Sequence, residues 1–67
     1  MVKILLNGDE REVSAENLTT LILDLGLDGR KIAVERNYEI VPRSTYLLTS
    51  VVEGDRFEIV HFVGGGD

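Results

Sequence analysis

The residues with the plainest chemical potential are the last ones. Phe57-Glu58-Ile59-Val60-His61-Phe62-Val63 has the composition of a β-strand and runs straight into Gly64-Gly65-Gly66, with Asp67 behind them. Glycine loses more backbone freedom on folding than any other residue, so three in a row are costly inside an ordered element. At a terminus that cost is avoided, because the segment need not be ordered. An extended residue spans roughly 3.3–3.6 Å, so three glycines carry a backbone carboxyl group about 10 Å past a fold. Without side chains they fit a channel too narrow for other residues. The pattern predicts a carboxylate presented to another protein's active site. A glycine-rich end frayed by chance, or an appended scar, gives the same composition.

Other chemistry is sparse. The chain has no cysteine, so it holds no disulfide, thiol nucleophile or thiolate metal site. His61 is the only histidine, and a general base or metal ligand needs partners that the neighbouring sequence does not supply. Arg43, after Pro42, reads equally as a partner contact and as a solvated or turn-bonding residue. Tyr46 reads as core or rim. Asp9, Glu10, Glu12, Glu16, Asp24, Asp28, Glu53 and Asp55 are expected on a solvated surface.

Sixty-seven residues make one domain. A chain of this size buries only about 60% of its unfolded surface, which leaves little room for a deep catalytic pocket. The net charge of −5 disfavours nucleic acid, whose phosphates need a basic footprint. It fits docking on a basic partner surface. No apolar run approaches the ~20 residues of a membrane span. The first residues lack the length and cleavage site of a signal peptide, so a cytoplasmic location without membrane association is expected.

The elements that must position the tail follow from apolar spacing and turn residues. Val2–Leu6 reads as a strand, Asn7-Gly8 as a tight hairpin turn, and Glu10–Val13 as a short return strand. Leu18, Leu21, Ile22 and Leu25 mark one face of a helix over 18–25. Asn17 is its expected N-cap, Gly26 its stop, and Leu23 lies off the stripe. Lys31–Arg36 reads as a third strand, Asn37-Tyr38 as a turn, and Glu39–Val41 as a fourth strand ended by Pro42. One helical turn is expected at 43–46 and a tight turn at Glu53-Gly54-Asp55. The order β-β-α-β-β-β predicts an α+β fold: a mixed four- to five-stranded sheet covered on one face by one helix. That is the ubiquitin-like β-grasp architecture, over residues 1–63, with 64–67 as a flexible glycine tail. The last strand is then expected beside the first.

The expected core is Ile4, Leu6, Leu18, Ile22, Leu25, Val34, Phe57 and Ile59. Period-two alternation turns Val60 and Phe62 to the open face. Leu5 points the same way, so Leu5, Val60 and Phe62 are expected to form one apolar docking patch beside the tail.

Over its whole length the chain resembles the ThiS sulfur carriers of bacterial thiamine biosynthesis. The resemblance rests on the first strand ending at Asn7 and on Asn17-Leu18-Thr19-Thr20-Leu21. It rests further on Ala33-Val34-Glu35-Arg36-Asn37-Tyr38-Glu39-Ile40-Val41-Pro42-Arg43 followed by Tyr46, on Glu53-Gly54-Asp55, and on the terminal Gly65-Gly66. It implies a carrier and co-substrate rather than an enzyme, with no cofactor of its own. In such carriers an adenylating E1-like enzyme uses ATP to activate the terminal glycine carboxylate, here Gly66. Sulfur from a persulfide donor protein displaces AMP and leaves a thiocarboxylate, which supplies thiazole synthase. The chain departs from the family at Asp67, since such carriers end at Gly-Gly. Removal of Asp67 by a protease, an artefactual origin, and loss of carrier activity are all open. Carriers for molybdopterin or tRNA thiolation share the tail chemistry, and a non-covalent β-grasp interaction module is the alternative from another class.

Overall fold

Alternation of Ile4 and Leu6 inward with Lys3 and Leu5 outward makes Val2–Leu6 strand β1, and Asp9–Val13 returns antiparallel to it as β2. The computed structural model describes residues 1–62; the expectations for 64–67, and for a domain end at 63, lie outside the described residues. Between β1 and β2, Asn7 and Gly8 both take positive φ, 49° and 86°, as a two-residue hairpin whose twist matches its strands requires. Helix α1, Leu18–Asp24, starts at Asn17, whose side chain accepts the Thr20 N–H at 2.9 Å. It stops at Gly26, in the left-handed region. Strands β3, Ile32–Arg36, and β4, Glu39–Ile40, form a second hairpin, and β5 is Arg56–His61.

The five strands lie in the order β2-β1-β5-β3-β4. β5 is parallel to β1 and antiparallel to β3, in the middle of the sheet, beside the first strand as the element order predicts. Leu18, Leu21 and Ile22 of α1 pack with Ile4, Leu6, Ile32, Val34, Phe57 and Ile59 on one sheet face. Ala15, Tyr46 and Val51, from the connections, close the core. The expected core is found except that Leu25 is half-buried, because it is the C-cap where the chain already leaves the helix. Leu23 is exposed, as its place off the stripe implies.

Several boundaries differ from the sequence reading. Lys31 belongs to a 3₁₀ turn, Gly29–Lys31, capped by Asp28, and not to β3. Val41 lies outside β4, and the helical turn at 43–46 runs on as a 3₁₀ helix, Arg43–Leu48. Asp55, expected in solvent, is only 4% exposed. Its carboxylate accepts from Arg36 Nε and Nη2 at 3.2 and 3.1 Å, from Asn37 Nδ2 at 3.2 Å and from the Val52 N–H at 2.9 Å. A buried charge is tolerable when it is paired and its lone pairs are filled.

Both asparagines at positive φ reach the central strand. Asn7 Oδ1 accepts the Ile59 N–H at 2.7 Å, and Asn7 Nδ2 donates to the Ile59 carbonyl at 3.1 Å. On the other side Asn37 Oδ1 accepts the Arg56 N–H at 3.0 Å. Each side chain supplies bonds that the neighbouring strand, already turning away, cannot.

Ile22→Ala removes buried aliphatic contacts and leaves a cavity, so it should cost roughly 2–5 kcal/mol. The measurement is the shift of the urea midpoint at unchanged slope. Asn7→Gly permits the same backbone turn but deletes both bonds to Ile59. It should cost roughly 1–3 kcal/mol. Amide exchange should quicken at Ile59 and stay unchanged at Phe62, whose N–H is held by the Lys31 carbonyl on the opposite side.

Candidate functional site

Gly65 and Gly66, the residues expected to carry the chemistry, lie outside the described residues. The candidate site is therefore the last described part of β5 and what surrounds it. Because β3 is antiparallel to β5, the start of β3 flanks the end of β5. Ile32 is opposite His61, Ala33 opposite Val60, and the Phe62 N–H donates to the Lys31 carbonyl at 2.9 Å.

Val60 and Phe62 are each 54% exposed and Leu5 is 43% exposed. Alternation places all three on the open face, away from α1. The structure does not make them one patch. β1 pairs with β5 only at Leu5 opposite Arg56 and Leu6 opposite Phe57. Leu5 therefore lies four residues before Val60 along β5, roughly 13 Å at the usual strand rise, with Glu58 between them on the same face. The expected three-residue cluster fails for a reason of register: β1 turns at Asn7 before it reaches the level of Val60. Leu5 instead lines a shallow depression of about 240 Å³ with Lys3, Ile4, Glu10, Glu53 and Gly54.

The neighbours of Val60 and Phe62 are charged. The Arg43 guanidinium lies over the Phe62 ring, 5.9 Å from its centroid, within the range of a cation–π contact. The same guanidinium donates through Nε to the Gly29 carbonyl at 2.8 Å and through Nη2 to the Ile32 carbonyl at 2.9 Å. Of the two readings of Arg43 in the sequence, bonding to turns is the one these contacts display. Further back on the open face, Glu35 and Glu58 stand directly opposite each other. Like charges so placed destabilise a sheet, and Arg56 offsets one of them, Nη2 to Glu58 Oε1 at 2.6 Å. Arg56 also stacks on Tyr38 at 4.0 Å, while its Nη1 is buried without a partner.

The turn that supplies the carbonyls to Arg43 and Phe62 is itself braced. Asp28 accepts the Arg30 N–H at 2.9 Å and pairs with the Arg30 side chain. Those hydrogen bonds hold the Asp28 carboxyl down to about 2. His61 is exposed at the end of β5. Among the described residues no cluster of histidine, aspartate and glutamate could hold a metal ion, and no helix is long and apolar enough to cross a membrane. Sequence reasoning missed the Asn7 and Asn37 side-chain bonds and the Arg43–Phe62 contact. The signal for the first two was present: asparagine in a turn needing positive φ also carries a carboxamide able to bond nearby backbone.

Comparison with known proteins agrees with this architecture. A thiazole synthase of Paramagnetospirillum magneticum is 52% identical over 66 residues, covering 97% of this chain and 20% of that protein. The chain thus spans about a fifth of the length of this relative, and the same share of a 44% identical thiazole synthase from Magnetococcus marinus. The sulfur carrier protein ThiS of Bacillus subtilis is 40% identical over 65 residues, covering 91% of this chain and 96% of that protein. The crystal structure of the thiamine biosynthesis protein ThiS from Geobacter metallireducens superimposes with a TM-score of 0.83 at 33% identity, covering 97% of this chain and 100% of that one. The ThiS family model matches residues 4–66, and on that match, with the ubiquitin-like sheet order and the relatives beside it, the chain belongs to the ThiS family.

Proposed function

We propose that this chain is a sulfur carrier for thiazole formation in thiamine biosynthesis. The observation that carries the reading is its near end-to-end match to the sulfur carrier of Bacillus subtilis, together with residues 4–66 matching the family. The fold is consistent with that role. β5, fixed on both sides, leads the chain toward Gly64-Gly65-Gly66.

The chemistry belongs to partners. A free carboxylate resists nucleophiles because of its charge. An adenylating E1-like enzyme joins the Gly66 carboxylate to AMP from ATP, with release of pyrophosphate. The terminal sulfur of a persulfide donor then attacks the acyl carbon and AMP leaves. Cleavage of the remaining sulfur–sulfur bond by a thiol gives the thiocarboxylate. The carrier is a co-substrate and acts as no catalyst. Thiazole synthase is the proposed acceptor, and the matching segment within longer thiazole synthases supports that pairing. Val60 and Phe62 are the proposed contact nearest the tail, with Leu5 an outlying one.

The test compares a chain ending at Gly66 with one that keeps Asp67. Incubated with an adenylating enzyme of this pathway, ATP and a sulfur donor, the first should gain the mass of one oxygen replaced by sulfur. The second should gain none, since Gly66 then has no free carboxylate. Equal modification of both would refute this account of the tail. Modification of neither would favour a non-covalent interaction module.

Phe62→Asp should leave the thermal midpoint nearly unchanged, because the ring is half-exposed. It should weaken partner binding at least tenfold, about 1.4 kcal/mol, through burial of a charge at the interface. Titration of mutant and parent against the same adenylating enzyme checks this. Equal affinities would remove Phe62 from the docking surface.

A further inference from the structure

Arg43 does more than close a turn. Pro42 fixes its own φ at −61° and starts the 3₁₀ helix at Arg43. From there one side chain reaches three separate pieces of the fold: the Gly29 carbonyl, the Ile32 carbonyl and the face of Phe62. The backbone of Phe62 is tied to the same place, since its N–H is bonded to the Lys31 carbonyl. Residues 29, 31 and 32 therefore hold both the guanidinium and the final described backbone bond of β5.

The planar fork matters here. Two donors in one plane, each on a carbonyl, fix the guanidinium plane, and a ring can then lie against it. A lysine ammonium has the charge but neither the fork nor the plane. Phe62 has half its surface in solvent, so without that support its ring would sample other rotamers. Ordering an aromatic anchor only at the moment of binding weakens association, whereas an anchor held in place beforehand avoids that cost.

We infer that Arg43 is a positioning residue that holds the Phe62 ring and the end of β5 in the arrangement the adenylating partner reads at the root of the tail. This rests on the carrier reading and adds the residue that makes its docking anchor rigid. Arg43 acts through Phe62 and touches no reacting atom.

The experiment has two arms, both on the chain shortened by one residue to end at Gly66. In the first, amide exchange and ring-current shifts are measured by NMR on the carrier alone. Arg43→Lys should speed exchange at Phe62 and average its ring-current shifts, with Ile59 unaffected. In the second, adenylation kinetics are measured for Arg43→Lys, Phe62→Leu and the double variant. Each single variant should raise KM about three- to fivefold, the size of an exposed cation–π contact, with kcat unchanged. The double variant should match Phe62→Leu alone. Phe62→Leu keeps the bonds of Arg43 to its carbonyls, so it tests the ring even if Arg43→Lys lowers stability. Unchanged KM in both single variants, or strictly additive effects, overturns the inference while leaving the carrier reading intact. Failure of the parent chain to be adenylated overturns the carrier reading and this inference with it.

Discussion

The fold depends on one constraint: the central strand must be hydrogen-bonded on both sides although neither neighbour runs alongside its whole length. β1 turns at Asn7, and β3 turns at Asn37. A buried backbone N–H or carbonyl left without a partner costs about as much as a lost hydrogen bond, and often more. At each turn an asparagine side chain takes over. Asn7 presents a donor and an acceptor to Ile59 just as a further strand residue would, and Asn37 accepts the Arg56 N–H. The same residues accept the positive φ that the turns demand. Turn and ladder extension are thus one feature of one side chain: glycine could replace neither asparagine in both roles, and aspartate, with no donor for the Ile59 carbonyl, could not replace Asn7.

Asp55 applies the same logic to the entry of β5. The loop before that strand must cross from the rim of the core to its centre, and its Val52 N–H needs an acceptor. The carboxylate provides it and is neutralised by the forked pair with Arg36, itself on β3. The network therefore ties the start of β5 to the end of β3 at the point where Asn37 also bonds. Such a small core has few apolar contacts to spare, and directional bonds fix the register that those contacts alone would leave loose.

Much of this was legible in the residues. The stripe Leu18, Leu21 and Ile22 fixed the helix and its inward face, and Asn7-Gly8 marked the hairpin. Element order matched the β-grasp pattern, and that pattern placed the last strand beside the first, where the sheet has it. What was not legible depends on distances that no local pattern carries. Alternation tells which face a residue is on but not how far along the sheet it lies. Leu5 was thus assigned the correct face and the wrong neighbours. Asp55 was read as a surface carboxylate because its partners, Arg36 and Asn37, are nineteen and eighteen residues away. Arg43 was undecided for the same reason: its acceptors are backbone carbonyls, and a carbonyl has no sequence signature.

The position of β5 also bears on why a carrier needs a fold at all. A carboxylate on a thin arm could be offered by any disordered peptide, but recognition would then incur the full entropy of ordering it. Here the strand preceding the glycines is bonded to β1, to β3 and to two side-chain amides, so its direction is set before any partner arrives. Glycines placed two residues after so constrained a strand would separate two requirements that usually conflict. In the proposed carrier, docking falls to residues with large side chains, Val60 and Phe62. Access to a partner's narrow reaction channel falls, on the same proposal, to residues that have none. The charge pattern keeps the two apart: Glu35, Glu58 and Arg56 occupy the open face behind the apolar pair, and Arg43 stands at its end. Glu58, Arg56 and Val60 are mounted on β5 and Glu35 on β3, and Arg43 is tied to the start of β3 through the Ile32 carbonyl, so the apolar pair and the charges around it keep a fixed arrangement at the end of the central strand.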